Sequence, residues 1–150
     1  GIVFCRTRQE TKDVAEKLMK DGYNADALHG DLSQAQRDTV MNKFRIKNLQ
    51  VLVATDVAAR GLDVSDLTHV INYNLPDDVE VYTHRSGRTG RAGKKGVSCV
   101  IVHTREGRRL REIERIIKKE FKIYIILNPL QKIYYLLINL FHIPLVYMYQ

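Results

Sequence analysis

Cysteine is scarce in this chain, and the arrangements cysteine usually signals are missing. Two occur in 150 residues, Cys5 and Cys99, each inside an apolar run. Neither has metal-ligand spacing around it, which argues against a zinc site or a disulfide framework and for reduced, buried thiols in a cytoplasmic protein. No Gly-x-x-x-x-Gly-Lys-Ser/Thr segment occurs, so this stretch does not cradle a triphosphate by the usual phosphate loop. The first residues do not read as a signal peptide, and none is expected. The chain opens on Gly1-Ile2-Val3-Phe4-Cys5, which reads as a strand, and a chain that starts inside a core strand is expected to be a piece of something longer. No internal repeat is evident.

What is abundant is positive charge. Lys and Arg number 24 against 17 Asp and Glu, a formal net charge of +7. That balance favours an acidic partner such as nucleic acid, although charge alone does not separate nucleic acid from an anionic membrane surface. The length suits one domain with a real core.

Short apolar strands alternate with amphipathic helices. Ile2–Cys5 reads as the first strand, and Thr7-Arg8-Gln9-Glu10 as a capping box. The helix behind it carries Val14, Ala15, Leu18 and Met19 at core spacing and stops at Asp21-Gly22. Residues 23–29 form a second extended segment. Ser33-Gln34-Ala35-Gln36 is another capping box, opening a helix to about Ile46. Val51–Thr55 is apolar in the manner of a buried parallel strand. Further strands are expected over 68–73 and 97–102, with a helix toward Thr83 between them. Thr104 can cap a last helix whose Leu110, Ile113, Ile116 and Ile117 make one stripe, ending near Glu120. Such alternation implies a parallel α/β sheet with helices on both faces, whose ligands gather at the carboxyl ends of the strands.

One segment stands out chemically: His84-Arg85-Ser86-Gly87-Arg88-Thr89-Gly90-Arg91-Ala92-Gly93. Arginines three apart share a face of a helix or turn, where like charges repel unless an anion neutralises them. The spacing therefore asks for a phosphate-rich partner; a solvated basic loop is the plain alternative.

Together the motifs resemble those of the DEAD-box RNA helicases of superfamily 2. Ala54-Thr55-Asp56-Val57-Ala58-Ala59-Arg60-Gly61-Leu62-Asp63-Val64 is similar to motif V, the His84–Gly93 segment to motif VI, and 2–7 to motif IV. Gln34-x-x-Arg37 is similar to the QxxR block. The likeness runs from Gly1 to about Phe121 and implies the second, C-terminal RecA-like domain of the helicase core (1–120). The family's phosphate loop and Asp-Glu-Ala-Asp motif belong to a first, N-terminal RecA-like domain, which would hold most of the ATP and its Mg²⁺. Without that domain the chain should not turn over ATP.

The resemblance implies roles residue by residue. Arg88 and Arg91 match arginine fingers that reach the γ-phosphate of ATP. Asp63 matches an acceptor for the ATP ribose, with Gly61 leaving room for the nucleotide; a helix or turn cap is the alternative for Asp63. Asp56, Arg60, His84 and Arg85 match interdomain contacts, and for Arg60 a surface ion pair competes. Arg6, Thr7, Gly30, Arg37 and Thr55 match positions that grip the RNA backbone without reading bases. Helix capping competes for Thr7, and a plain exposed helix residue for Arg37. The function implied is local duplex unwinding. A non-catalytic RNA- or protein-binding module and a DNA-directed helicase half stand beside it.

The tail, 121–150, departs from the pattern. Five of the eight tyrosines fall there, and Lys122 and Lys132 are its only formally charged side chains. Three readings stay open: translated non-coding or frame-shifted sequence, a genuine packing extension, and a membrane anchor interrupted by Pro129, Asn139, His142 and Pro144. No membrane partner is expected.

Overall fold

The computed structural model describes residues 1–64, 66–91, 93–127 and 133–141, with the backbone alone for 124–127 and 133–141. The chain divides into two compact units, Gly1–Asp63 with Ile71–Asn74, and Val64–Val70 with 75–150.

In the first unit, β1 (Ile2–Cys5), α1 (Arg8–Lys20), β2 (Ala25–Leu28), α2 (Gln34–Arg45), β3 (Val51–Thr55) and the short α3 (Asp56–Ala59) follow one another. The strands lie in the order β2-β3-β1, parallel throughout. Every residue of β1 is buried, so both of its faces are covered, as in sheets flanked by helices. One face is packed by α1: Val14 and Ala15 meet Val3, Cys5 and Val53, with Leu18 beside them. Met19, expected in that stripe, is 49% exposed because it follows Leu18 onto the outer side of the helix. The Cys5 thiol is buried. The second capping box forms in full, with Ser33 and Gln36 each satisfying the other's backbone N–H. Gly22, at φ +88°, ends α1 in the left-handed region that glycine enters freely.

β4 (His69–Asn72) divides between the units, its first two residues in the second and its last two in the first. The second unit continues with α4 (Val79–Ser86), β5 (Gly96–His103), a 3₁₀ turn over Thr104–Glu106 and α5 (Gly107–Ile117). Its core joins Leu75, Tyr82, Val100, Val102, Leu110, Ile113 and Phe121. Three sequence expectations shift here. α4 runs on to Ser86, His103 rather than Thr104 caps the turn before the last helix, and Ile116 is 52% exposed. The tail contributes β6 (Lys122–Leu127) and β7 (Ile133–Phe141), antiparallel to each other, with β7 antiparallel to β5. Phe121 is 6% exposed and meets Tyr82 edge-on at 5.6 Å between ring centroids, so the first residue of the tail is a core residue. Burial pushes the Cys99 thiol up to about 11, which keeps it protonated and inert at neutral pH.

Candidate functional site

In the first unit the sheet register lines up the strand ends. Cys5 pairs with Thr55 and Leu28 with Ala54, so the residues leaving β1, β2 and β3 emerge side by side. Arg6 and Thr7 follow β1, Gly30 follows β2, and Thr55 closes β3. Carboxyl ends of parallel strands are where such sheets bind ligands.

Both threonines are helix N-caps. The Thr7 hydroxyl accepts the Glu10 N–H at 3.1 Å, and the Thr55 hydroxyl accepts the Ala58 N–H at 3.3 Å. Capping uses an acceptor lone pair and leaves each O–H able to donate, so capping and phosphate contact are compatible. The expected reciprocal bond from Glu10 to Thr7 is replaced. The Glu10 carboxylate instead takes the Arg6 N–H at 3.0 Å and the Asn74 side-chain amide at 2.9 Å. Asn74 also accepts from the Arg6 N–H at 3.0 Å. A residue 64 positions further along the chain thus diverts Glu10 and fixes the backbone at Arg6.

Gly30 is exposed, and a Cβ there would touch nothing closer than Arg8 Cδ at 3.9 Å. Beside it Asp31 pairs with Arg8 and, at 3.2 Å, with Lys12. The hydrogen bond from Lys12, and then Arg8, hold the Asp31 carboxyl below the usual carboxylate range. Sequence reasoning missed this cluster. Its signal was the i, i+4 spacing of Arg8 and Lys12 on α1, which puts two cations on one face. His29 is 4% exposed, with Nδ1 3.9 Å from Asp31 and no hydrogen-bond partner. Burial first, then Lys12, push its pKa down; Asp31 opposes them.

Arg37 is half-buried on α2 and donates to the Ala58 carbonyl at 3.3 Å, so it is not a plain exposed helix residue. Along the segment after β3, Asp56 occupies the first turn of α3, and Arg60 caps its other end and is exposed. Gly61 takes φ +76°, and Asp63 is exposed and caps no helix among the described residues.

The second unit holds the arginine series, and the three do not share one helical face. α4 ends at Ser86 with Gly87 as its C-cap, so only His84 and Arg85 lie on the helix. Arg85 is 6% exposed, whereas His84 is exposed. Arg88 is half-buried in the turn that follows, and its guanidinium donates to the Val64 carbonyl at 3.4 Å. Val64 directly follows Asp63 in the sequence. Arg91 is exposed, and its Nε donates to the Gly87 carbonyl. The spacing of three fails to make a stripe because Gly87 ends the helix before the period can repeat. Among the described residues no group of three His, Cys, Asp or Glu side chains could hold a metal ion. No helix among them is long and apolar enough to cross a membrane.

A parallel α/β sheet flanked by helices, with polar strand ends and a glycine-punctuated arginine turn, defines the class of RecA-like helicase domains. The chain belongs to the helicase conserved C-terminal domain family, which it matches over residues 1–93, in its DEAD-box form. It is 52% identical over 120 residues to the DEAD-box ATP-dependent RNA helicase CshA of Bacillus cereus, covering 80% of this chain and 23% of that protein. A DEAD box protein from the hyperthermophile Methanococcus jannaschii superposes with a TM-score of 0.73 and 52% identity, over 80% of this chain and 33% of that one. The C-terminal domain of the DEAD-box protein Dbp5 gives 0.71 and 36%, over 77% and 68% respectively. The chain spans about a quarter of the length of the curated relatives it matches.

Proposed function

We propose that this domain is the second RecA-like half of an ATP-dependent RNA helicase, acting in the cytoplasm with an N-terminal RecA-like domain as its partner. The observation that carries the reading is the register that brings Arg6–Thr7, Gly30 and Thr55 to one edge of the first unit. Hydroxyls, an open glycine and guanidinium groups suit the phosphate oxygens of single-stranded RNA. None of them reads a base edge, so binding is sequence-independent and salt-sensitive.

ATP, held with Mg²⁺ mainly by the partner domain, supplies the phosphoanhydride whose hydrolysis drives opening and closing. Within the second unit, the Arg88 and Arg91 guanidinium groups suit the charge of a triphosphate. Arg88 and Arg91 rest against neutral carbonyls, Val64 and Gly87. Exchanging such an acceptor for an anionic phosphate oxygen strengthens the hydrogen bond, which favours the γ-phosphate as a partner for both side chains. Asp63 accepts from the ribose, and Gly61 keeps side-chain bulk away. Asp56, Arg60 and His84 meet the partner domain, and the buried Arg85 acts on closure through the turn it supports.

The test mixes this chain with the first RecA-like domain of a CshA relative, single-stranded RNA and ATP. RNA-stimulated hydrolysis is expected. Equal stimulation by DNA would replace the substrate, and RNA binding without any hydrolysis would leave a non-catalytic module.

A further inference from the structure

Gly96 opens β5 hard against the turn that precedes it. A Cβ there would collide with the Thr89 hydroxyl oxygen and lie 2.5 Å from the Gly90 amide nitrogen. Backbone cannot swing aside as a flexible side chain can, so the position needs glycine for space, not for an unusual φ. The neighbour it admits is Thr89, a polar residue only 3% exposed that no motif role explained.

The Thr89 hydroxyl donates to the Leu67 carbonyl, with the Thr68 carbonyl 3.3 Å away. Leu67 and Thr89 form an isolated parallel bridge. The Leu67 N–H donates at 3.2 Å to the carbonyl of Arg88, and the Thr68 carbonyl accepts from Val97 of β5 at 2.9 Å. Arg88 is therefore held by its backbone through Leu67 and by its guanidinium through Val64, while the next residue is locked by its own hydroxyl. Thr89 is too buried to touch a substrate. Its bonds set where the turn carrying Arg88 sits.

We propose that Thr89 is a positioning residue for Arg88, and that Gly96 makes the space in which Thr89 binds the Leu67–Thr68 backbone. The proposal rests on the reading of Arg88 as the group that meets the γ-phosphate.

Gly96→Ala tests the space but can unfold β5, so the deciding variant is Thr89→Val, which keeps the shape and removes the hydroxyl. In the mixture with a CshA first domain, it should lower kcat about tenfold, as a misplaced transition-state contact does, with KM for ATP and RNA affinity within about twofold. Thr89→Ser should restore kcat to within about threefold. In the chain alone, amide hydrogen exchange at Leu67 should quicken about tenfold in Thr89→Val and recover in Thr89→Ser. Unchanged kcat and unchanged Leu67 exchange in Thr89→Val would overturn the proposal, as would a failure of serine to rescue. If Arg88→Ala leaves turnover intact, the γ-phosphate reading falls, and Leu67 exchange still decides whether Thr89 holds the turn.

Discussion

The strand-end edge of the first unit and the arginine turn of the second hold their candidate residues by different means. At the edge, parallel register sets the strand ends that lead into Arg6–Thr7 and Gly30, the Glu10 and Asn74 side chains hold the Arg6 N–H, and the threonine hydroxyls cap the helices that follow. In the turn, Gly87 has ended the helix, and the Arg88 and Arg91 guanidinium groups donate to the Val64 and Gly87 carbonyls. The edge sets two threonine hydroxyls and an open glycine beside its cations, which suits a repetitive phosphate backbone. The turn is fixed by its backbone while two of its guanidinium groups sit on neutral carbonyl acceptors, which an anionic oxygen can replace. In the proposed function the edge would grip nucleic acid, and the turn would give its cations to ATP when the partner domain arrives.

That contrast can be broken by separating the two activities. The largest effect is expected from Arg88→Ala and Arg91→Ala, which should each lower RNA-stimulated hydrolysis by about 10³-fold in the reconstituted mixture while leaving RNA affinity within about twofold. RNA titrations by fluorescence anisotropy alongside steady-state hydrolysis would check this; parallel loss of both would show that the turn also grips RNA. Next in size is Arg37→Ala, expected to weaken RNA about tenfold and to flatten the slope of log affinity against log salt by about 0.7, one phosphate contact on a single strand. An unchanged salt slope would assign Arg37 to holding α3 through Ala58 alone.

Smaller effects sharpen the double use of the edge. Ser33→Ala and Thr7→Ala should each cost about 1 kcal/mol in urea denaturation, the usual worth of an N-cap. Only Thr7→Ala should also weaken RNA, and equal RNA affinity in the two variants would reduce Thr7 to a cap. The smallest effect concerns pH. Because the His29 pKa is lowered from 6.5 in the folded chain, the unfolded chain takes up that proton first. Its contribution to stability is fully present above pH 6.5 and is lost as pH falls through the lowered folded value. Urea midpoints at pH 7.5 and 5.5 should fall less in His29→Gln than in the parent, and identical falls would exclude His29 as the source.

Much of this architecture was legible locally. Alternating apolar runs located β1, β3, β4 and β5, and Ser33 with Gln36 announced the start of α2, because caps and periodicity depend on neighbours a few residues away. The order of the motifs pointed to the family, and the parallel α/β class explains why Arg6, Thr7, Gly30 and Thr55 share an edge. Other features were illegible because their causes lie far along the chain. Glu10 looked like half of a capping box and is claimed by Asn74; Arg8, Lys12 and Asp31 converge only when β2 comes to lie beside β3.

By itself, then, the sequence determined the strands β1 to β5, the helices α1, α2, α4 and α5, and the family, since each follows from residue type, short spacing and motif order. Only the tertiary structure decided how the three arginines differ. Arg85 is buried, Arg88 is tied to Val64 and Arg91 is exposed, because Gly87 ends the helix and Gly96 lets Thr89 bind the Leu67–Thr68 backbone. It also decided that Phe121 belongs to a core, by bringing it against Tyr82. Burial and hydrogen-bond partners depend on which distant segments meet, and no local spacing records that.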